Sequence, residues 1–564
     1  MAEEPDQPPI EPSEPTQSPV AADSVPSNPT PPVEETPVQP TVPPSQPATV
    51  VVSKGSSHRL RNSLEALIVI VIAAVIALLI SNHKSTTKVT NTATAKKDIP
   101  VLTYGVSNDG DVPQYPVNTV DSAFTVELNA QLYEGLVGYQ SESKIVPLLA
   151  TSWYNPDSST WVFNLRHNVK FHTGRTMTAD DVKYTLDYAV AHQNDDNGSS
   201  VLFMASTIKD VKVDNPYQVT VETNGPDPVL LSKLSLLGIV DSKAELGDYD
   251  AGTGPYVVKT GATPTKTTID LAAAPNYWGG HIYTREVDVT VYNDIAQLTA
   301  DAGKGKLDLS GDYTTSQINK IKVDHTLSIP DEGTSFLGLN TTKAGSPLQN
   351  VAVRQAIAEA LDIPSILKAS DLKGEQASQL VPLLLPGYNP KIADVSFNLD
   401  KAKQALAAAN VGTKPLTFGY PISNQDQDTE IIKELTAAGL TIKAIPIDDF
   451  NNAITTSLAG GYDFYNFSYT SSFQDGQDIL NGVLEGNANY SNPDIDSLLK
   501  QAGNTLDQSS RIKDMQKIAT IVSTNKPVIP LYTVNRQYAV TKPYVIRSDM
   551  PGMVTGVYFW KVYQ

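Results

Sequence analysis

One stretch limits everything else this chain can do: Ala66 to Ile80 is an unbroken apolar run, with Arg59 and Arg61 before it and Lys84 and Lys88 after it. A helix that crosses a bilayer needs about 20 mostly apolar residues. Residues 63–81 sit at the short end of that range, with Glu65 near enough to one end to reach the headgroups. The flanking segments are too polar to build a core around the run, which argues against a buried helix. Ala93-Thr94-Ala95 resembles a signal-cleavage site but lies too far beyond the run. The expectation is a retained transmembrane anchor over 63–81.

Of the 564 residues, those beyond the anchor exceed what one hydrophobic core usually supports, so two lobes are expected. The formal charge is −19, and the first 62 residues hold only eight acidic and three basic side chains, so the large C-terminal part is itself acidic. That argues against a nucleic-acid partner. The absence of cysteine excludes disulfides, thiolate metal sites, a cysteine nucleophile and a lipid on an N-terminal cysteine, which leaves attachment to the helix. Residues 1–62 are dense in Pro and Glu, cannot bury enough apolar surface to offset chain entropy, and read as a disordered tail. Its Pro31-Pro32 and Pro43-Pro44 neighbourhoods have the form of polyproline ligands. Residues 82–98 are rich in Ser, Thr, Ala and Lys and read as a flexible linker with an end-to-end distance of about 23 Å. Lysines and arginines lie on both sides of the anchor, so charge alone does not orient it.

From Ile99 onward short β-rich runs alternate with helical periods. Strands are expected at Val101–Val106, Trp161–Leu165, Val169–Phe171, Val219–Glu222, Tyr256–Lys259 and Val287–Val291. Val126 to Leu136 has near-helical spacing, and Thr178 with Asp181 forms a capping box ahead of Val182, Leu186 and Ala189. Further on, Asn350 caps a run with Val353, Ile357 and Leu361 on one face, and Ala402, Leu406 and Ala409 share another. Helix at Thr429–Ala438, strand at Leu440–Ile447 and an aromatic strand at Tyr462–Tyr469 suggest a parallel sheet. Asn492-Pro493 opens a helix, Arg511–Val522 is another, and Val528–Tyr532 is a strand.

Several runs together resemble a known family. They are LYEGLVGY at Leu132, the long run from Leu148 to Val182, GTGPYVV at Gly252, PNYWGG at Pro275, VRQAIAEALD at Val353, GYDFYNFSY at Gly461, YSNPDIDSLL at Tyr490 and KPVIPLY at Lys526. In this order they resemble the family 5 solute-binding proteins of ABC importers, the dipeptide, oligopeptide and nickel binders. The resemblance implies an α/β, bilobal, class II periplasmic-binding-protein-like fold: lobe I over 99–335, lobe II over 336–525 and a return segment over 526–564. It also implies an extracellular or periplasmic binding domain, a cytoplasmic tail, ABC permease subunits as partners and a monomer. The implied ligand is a peptide held in the interlobe cleft by main-chain hydrogen bonds. By register with the motifs, the contacts fall on Asp121, Ser122, Ala123 and Phe124 and on Ser468, Tyr469, Thr470 and Ser472.

The chain departs from that family at one position. Peptide binders carry an aspartate three residues after an aromatic, to pair with the ligand's α-ammonium, whereas here Tyr469 is followed by Ser472. A hydroxyl cannot supply the charge-assisted bond of a carboxylate. Asp475, or Asp121 across the cleft, is the candidate substitute. An oligosaccharide or a nickel chelate as ligand, and a receptor or scaffold without a transporter, stay open beside the peptide reading. No HExxH, G-x-S-x-G or GxxxxGK[ST] motif occurs, and the seven histidines are scattered, so neither an enzyme nor a bound metal or cofactor is expected.

Overall fold

The computed structural model describes residues 96–564 apart from 108–122, 141–143, 195–200, 246–248, 486, 488 and 547–555. The expected tail, anchor and most of the linker therefore lie outside the described residues, as do Asp121 and Ser122. Among the described residues no helix is long and apolar enough to cross a membrane. The last linker residues belong to the fold. Lys97 exchanges main-chain hydrogen bonds with Gln564, and Asp98 accepts from His281 at 2.8 Å and from Arg285.

The first half opens with strand β1 (Ile99–Ser107), helix α1 (Ala123–Leu132) and the hairpin β2 (Val137–Gln140) and β3 (Lys144–Pro147). A four-stranded antiparallel sheet follows, built from β4 (Ala150–Asp157), β5 (Thr160–Leu165), β6 (Ile208–Asn215) and β7 (Gln218–Thr223) in the order 4-5-7-6. Helix α2 (Ala179–His192) packs on it and starts at the expected Thr178–Asp181 capping box. Then come α3 (Leu230–Leu236), β8 (Tyr256–Val258), β9 (Thr268–Ala273), β10 (Thr284–Tyr292), α4 (Ile295–Gly303), β11 (Leu309–Gly311), α5 (Thr315–Ile318) and β12 (His325–Pro330). Val169–Phe171, expected as a strand, forms only a single bridge, Lys170 to Thr176. Its two apolar side chains instead enter the core as a turn.

The second half contains β13 (Gly333–Leu339), α6 (Val351–Glu359), α7 (Ile363–Ala369), β14 (Gly374–Gln376), α8 (Leu399–Ala408), β15 (Leu416–Pro421), α9 (Gln425–Ala437), β16 (Ile442–Ile447), α10 (Phe450–Leu458), β17 (Phe464–Thr470), α11 (Gly476–Leu484), α12 (Pro493–Gly503) and α13 (Gln508–Asn525). The helix–strand alternation does give parallel pairs, β15 with β16 and β15 with β17. Every residue of β13 is buried because helices cover both faces: Leu337 and Leu339 meet α6 to α9, while Phe336 meets α11 to α13. Six helix starts in this half have an Asn or Asp cap whose side chain accepts a main-chain N–H of the first turn, among them Asn350, Asn492 and Asp475.

The last strand, β18 (Val528–Val540), joins the two halves. Its first residues pair with β13 and β14, and its last with β12 and β11. Ile529, Leu531 and Tyr532 lie in the core around β13, whereas Tyr538 and Val540 lie in the core around β1. The chain thus passes between halves twice, at Asp331–Glu332 and at Thr533–Asn535. Arg536 ties the two passages by hydrogen-bonding Asp331 at 3.3 Å and reaching Asp312 at 3.4 Å.

Two buried charged groups offer tests. Arg511 of α13 is fully buried; it hydrogen-bonds the Asp475 carboxylate, with Nη1 to Oδ2 at 2.7 Å, and also Gln477. Breaking such a pair from one side leaves an uncompensated charge, so Arg511→Met should cost about 3–5 kcal/mol in chemical denaturation. Asp475→Asn in that background should recover part of the loss. Asp428 of α9 is buried too, and burial pushes its carboxyl up to about 8 against the amide of Asn466. The folded state therefore holds a proton that the unfolded chain releases near pH 3.8. Its contribution to stability is full below that value and is lost as pH rises through about 8. Asp428→Asn should match the parent at pH 4 and exceed it at pH 9, by on the order of a few kcal/mol.

Candidate ligand-binding site

The second half contributes the continuation of β17. Among the described residues, pairing with β15 is confined to Phe464 and Tyr465, while β13 accompanies the strand to Thr470. The strand therefore runs five residues beyond its β15 neighbour. The chain then folds back onto the start of α11, turning at Gln474, whose φ is +57°. Asp478, in the first turn of α11, holds this return together. It accepts from the main-chain N–H of Ser472 at 2.7 Å, from the Ser471 hydroxyl at 3.2 Å and from the Tyr469 hydroxyl at 3.4 Å. The Tyr469 ring lies where a side chain at position 482 would be, so Gly482 is required there. Burial raises the Asp478 carboxyl above the ordinary range, opposed by these three donors.

The first half contributes a pocket of about 180 Å³. One wall is the outward face of α1, with Val126, Asn129, Ala130 and Tyr133, and the opposite wall is Tyr277, Trp278, Tyr558 and Trp560. Glu134 lies at its edge and is nearly fully buried. It accepts from Tyr277 at 2.7 Å, Trp278 at 2.6 Å and Thr253 at 2.8 Å. Burial raises its carboxyl to about 7 against those bonds. Trp278 is also covered by the Arg166 guanidinium, 4.4 Å from the ring.

The halves meet where the Tyr139 hydroxyl donates to the Phe473 carbonyl at 2.9 Å. Both cavities adjoin this contact: Ser235, beside Tyr139, lines the pocket, while Ser232 and Gln474 line a groove of about 760 Å³ between the halves. At the nearby passage Glu332 is buried, its carboxyl well above the ordinary range through burial and then Asp331, and its carbonyl accepts from Ser471.

The sequence-expected residues divide accordingly. Ala123 opens α1, and the Phe124 side chain is part of the first core. Ser468 and Thr470 are exposed on β17, and Tyr469 and Ser472 join at Asp478. Asp475 has no carboxylate to spare. It caps α11 by accepting from Gln477 and is paired with Arg511, which corrects its expected role as an ammonium partner. Asp478 escaped sequence reasoning because Asp475-x-x-Asp478 has the spacing of a helix start. Only the return of 469–472 onto that start reveals it. Among the described residues no group of three or more His, Cys, Asp or Glu side chains could hold a metal ion.

Residues 144–491, more than half of the chain, match the model of the bacterial extracellular solute-binding proteins, family 5. A probable D,D-dipeptide-binding periplasmic protein of Escherichia coli is 25% identical over 466 residues, covering 75% of this chain and 88% of that protein. Heme-binding protein A of Haemophilus influenzae is 26% identical over 461 residues, covering 71% and 81%. Among solved structures, the unliganded open form of the periplasmic murein tripeptide binding protein MppA superposes with a TM-score of 0.70 at 18% identity, covering 83% of this chain and 98% of that one. The two passages between halves agree with that class II periplasmic-binding-protein fold. The chain belongs to the family 5 bacterial extracellular solute-binding proteins, binding components of ABC importers rather than enzymes.

Proposed function

We propose that this protein captures short peptides between its two halves and presents them to an ABC permease, held at the cell surface by the apolar segment 63–81. One observation carries the reading. The main chain of β17 runs on from Asn466 to Thr470 past its β15 pairing and ends at a carboxylate, Asp478, with its neighbours already arranged. An extended peptide added along such an edge gains main-chain hydrogen bonds that do not depend on its side chains. Its α-ammonium would meet Asp478, which replaces the carboxylate missing at Ser472. Relatives named for dipeptide and murein tripeptide binding support the ligand class.

A ligand that touches both halves binds the closed arrangement better than the open one, and that difference is what moves the equilibrium. The passages at Asp331–Glu332 and Thr533–Asn535 are the two places where backbone rotation would let the halves approach. Closure would present the permease with a surface that the open form lacks.

Binding of tri- and tetra-alanine to residues 96–564, followed by calorimetry, tests the ammonium site. N-acetylation should weaken binding by about 10- to 150-fold, corresponding to about 1.5–3 kcal/mol for a charge-assisted bond. Asp478→Asn should weaken the free peptide similarly and leave the acetylated one unchanged; equal effects on both would remove Asp478 from the role. If no peptide raises the unfolding temperature at concentrations far above micromolar, a receptor or scaffold that keeps the fold without transport replaces this reading. Separately, the full-length protein should stay with membranes at high salt and high pH, while residues 96–564 should be soluble and folded. Recovery of the intact chain in the soluble fraction would exclude the anchor.

A further inference from the structure

The pair Asp428 and Asn466 lies where the edge of β17 becomes free, and its hydrogen bonding is incomplete. Both residues are fully buried. The Asn466 amide donates to Asp428 Oδ1 at 2.7 Å, while Asp428 Oδ2 and Asn466 Oδ1 have no hydrogen-bond partner among the described residues. Native structures seldom keep such buried acceptors unpaired. One proton resolves both, because a carboxylic acid donates through one oxygen and accepts through the other, the complement of a primary amide. No cation offers another solution among the described residues. Asp428 faces Asn466 from β17 and acts on the hydroxyls of Tyr420 from β15 and Tyr532 from β18. On the other elements that pack against α9, Lys368 of α7 and Lys443 of β16 are exposed, and Asp362 meets Glu434. Burial keeps the Asp428 carboxyl protonated up to about pH 8.

The place of the pair gives it a consequence. Asn466 is the first β17 residue beyond the pairing with β15, and Ser468, two positions on, lies on the same face of the strand. Asp428 belongs to the first turn of α9, and its neighbour Gln427 hydrogen-bonds Tyr532 of β18. We propose that Asp428 is a positioning residue for the ligand edge: protonated, it closes a two-bond acid–amide ring with Asn466 that holds the start of α9 against β17, and its ionisation opens the ring and loosens Asn466 to Thr470. An ionised Asp428 keeps one bond and leaves Asn466 Oδ1 unpaired beside a buried negative charge. The ring does not depend on what the ligand is; only its effect on affinity rests on the peptide reading.

Nuclear magnetic resonance on ligand-free residues 96–564 tests the ring. The Asp428 carboxyl carbon, the Asn466 side-chain amide and the main-chain N–H groups of Phe467 and Ser468 should titrate with one midpoint near pH 8. In Asp428→Asn, whose amide pairs with Asn466 at every pH, the Asn466, Phe467 and Ser468 signals should stay in place through that range. Calorimetry with N-acetyl-tetra-alanine, which has no titrating ammonium, reads the consequence. Affinity of the parent should fall by up to about tenfold from pH 7 to pH 9, and that of Asp428→Asn should stay level. A carboxyl that titrates below neutrality, or without the Asn466 amide, overturns the ring. If Phe467 and Ser468 do not follow the ring, or if parent and Asp428→Asn lose affinity alike, the positioning role is overturned. If all four groups titrate together and no peptide binds, the ring and its hold on β17 stand and the peptide reading fails.

Discussion

The structure depends on one strand that serves two cores. β18 is 13 residues long, and its two ends are buried among side chains that never meet each other. Ile529 and Leu531 hold it to β13, and Tyr538 and Val540 hold it to β1 and its neighbours. Between them, Thr533, Val534 and Asn535 have intermediate burial, so this span is less constrained than either end. The partner passage at Asp331–Glu332 lies alongside, with the Asp331 N–H bonded to the Val534 carbonyl and Arg536 bridging to Asp331. The two halves are thus joined by two adjacent connections that are tied to each other.

The segment 466–472 inherits its shape from the second core. Arg511 and Asp475 fix the start of α11 from beneath, and Asp478, one turn into the same helix, gathers residues 469–472. A buried ion pair is no large source of net stability, because desolvation offsets attraction. Its consequence here is positional: with Asp475 committed to α13, the remaining carboxylate of that turn faces the returning strand. On the opposite half, Glu134 plays a comparable part for Tyr277 and Trp278, whose polar atoms are anchored so that their rings line the pocket.

Local signals in the sequence were mostly reliable. The Thr178–Asp181 box, the Asn350 and Asn492 caps and the parallel pairing around β15 followed from residues within a few positions of one another. One misreading was of a different kind. Val169 and Phe171 alternate like a strand, but the chain turns there and both side chains simply fill the first core.

What the amino-acid sequence by itself determined is the set of elements, the acidic cysteine-free character and the ordered motifs that place the chain in its family. Each depends on neighbouring residues or on composition, so each can be read from one dimension. What only the tertiary structure decided is how each acid of the α11 start is committed. Asp475 and Asp478 are three residues apart and chemically identical, and they differ because Arg511, 36 residues away, claims the first. Burial and pairing are set by contacts between distant segments, and no local pattern records them.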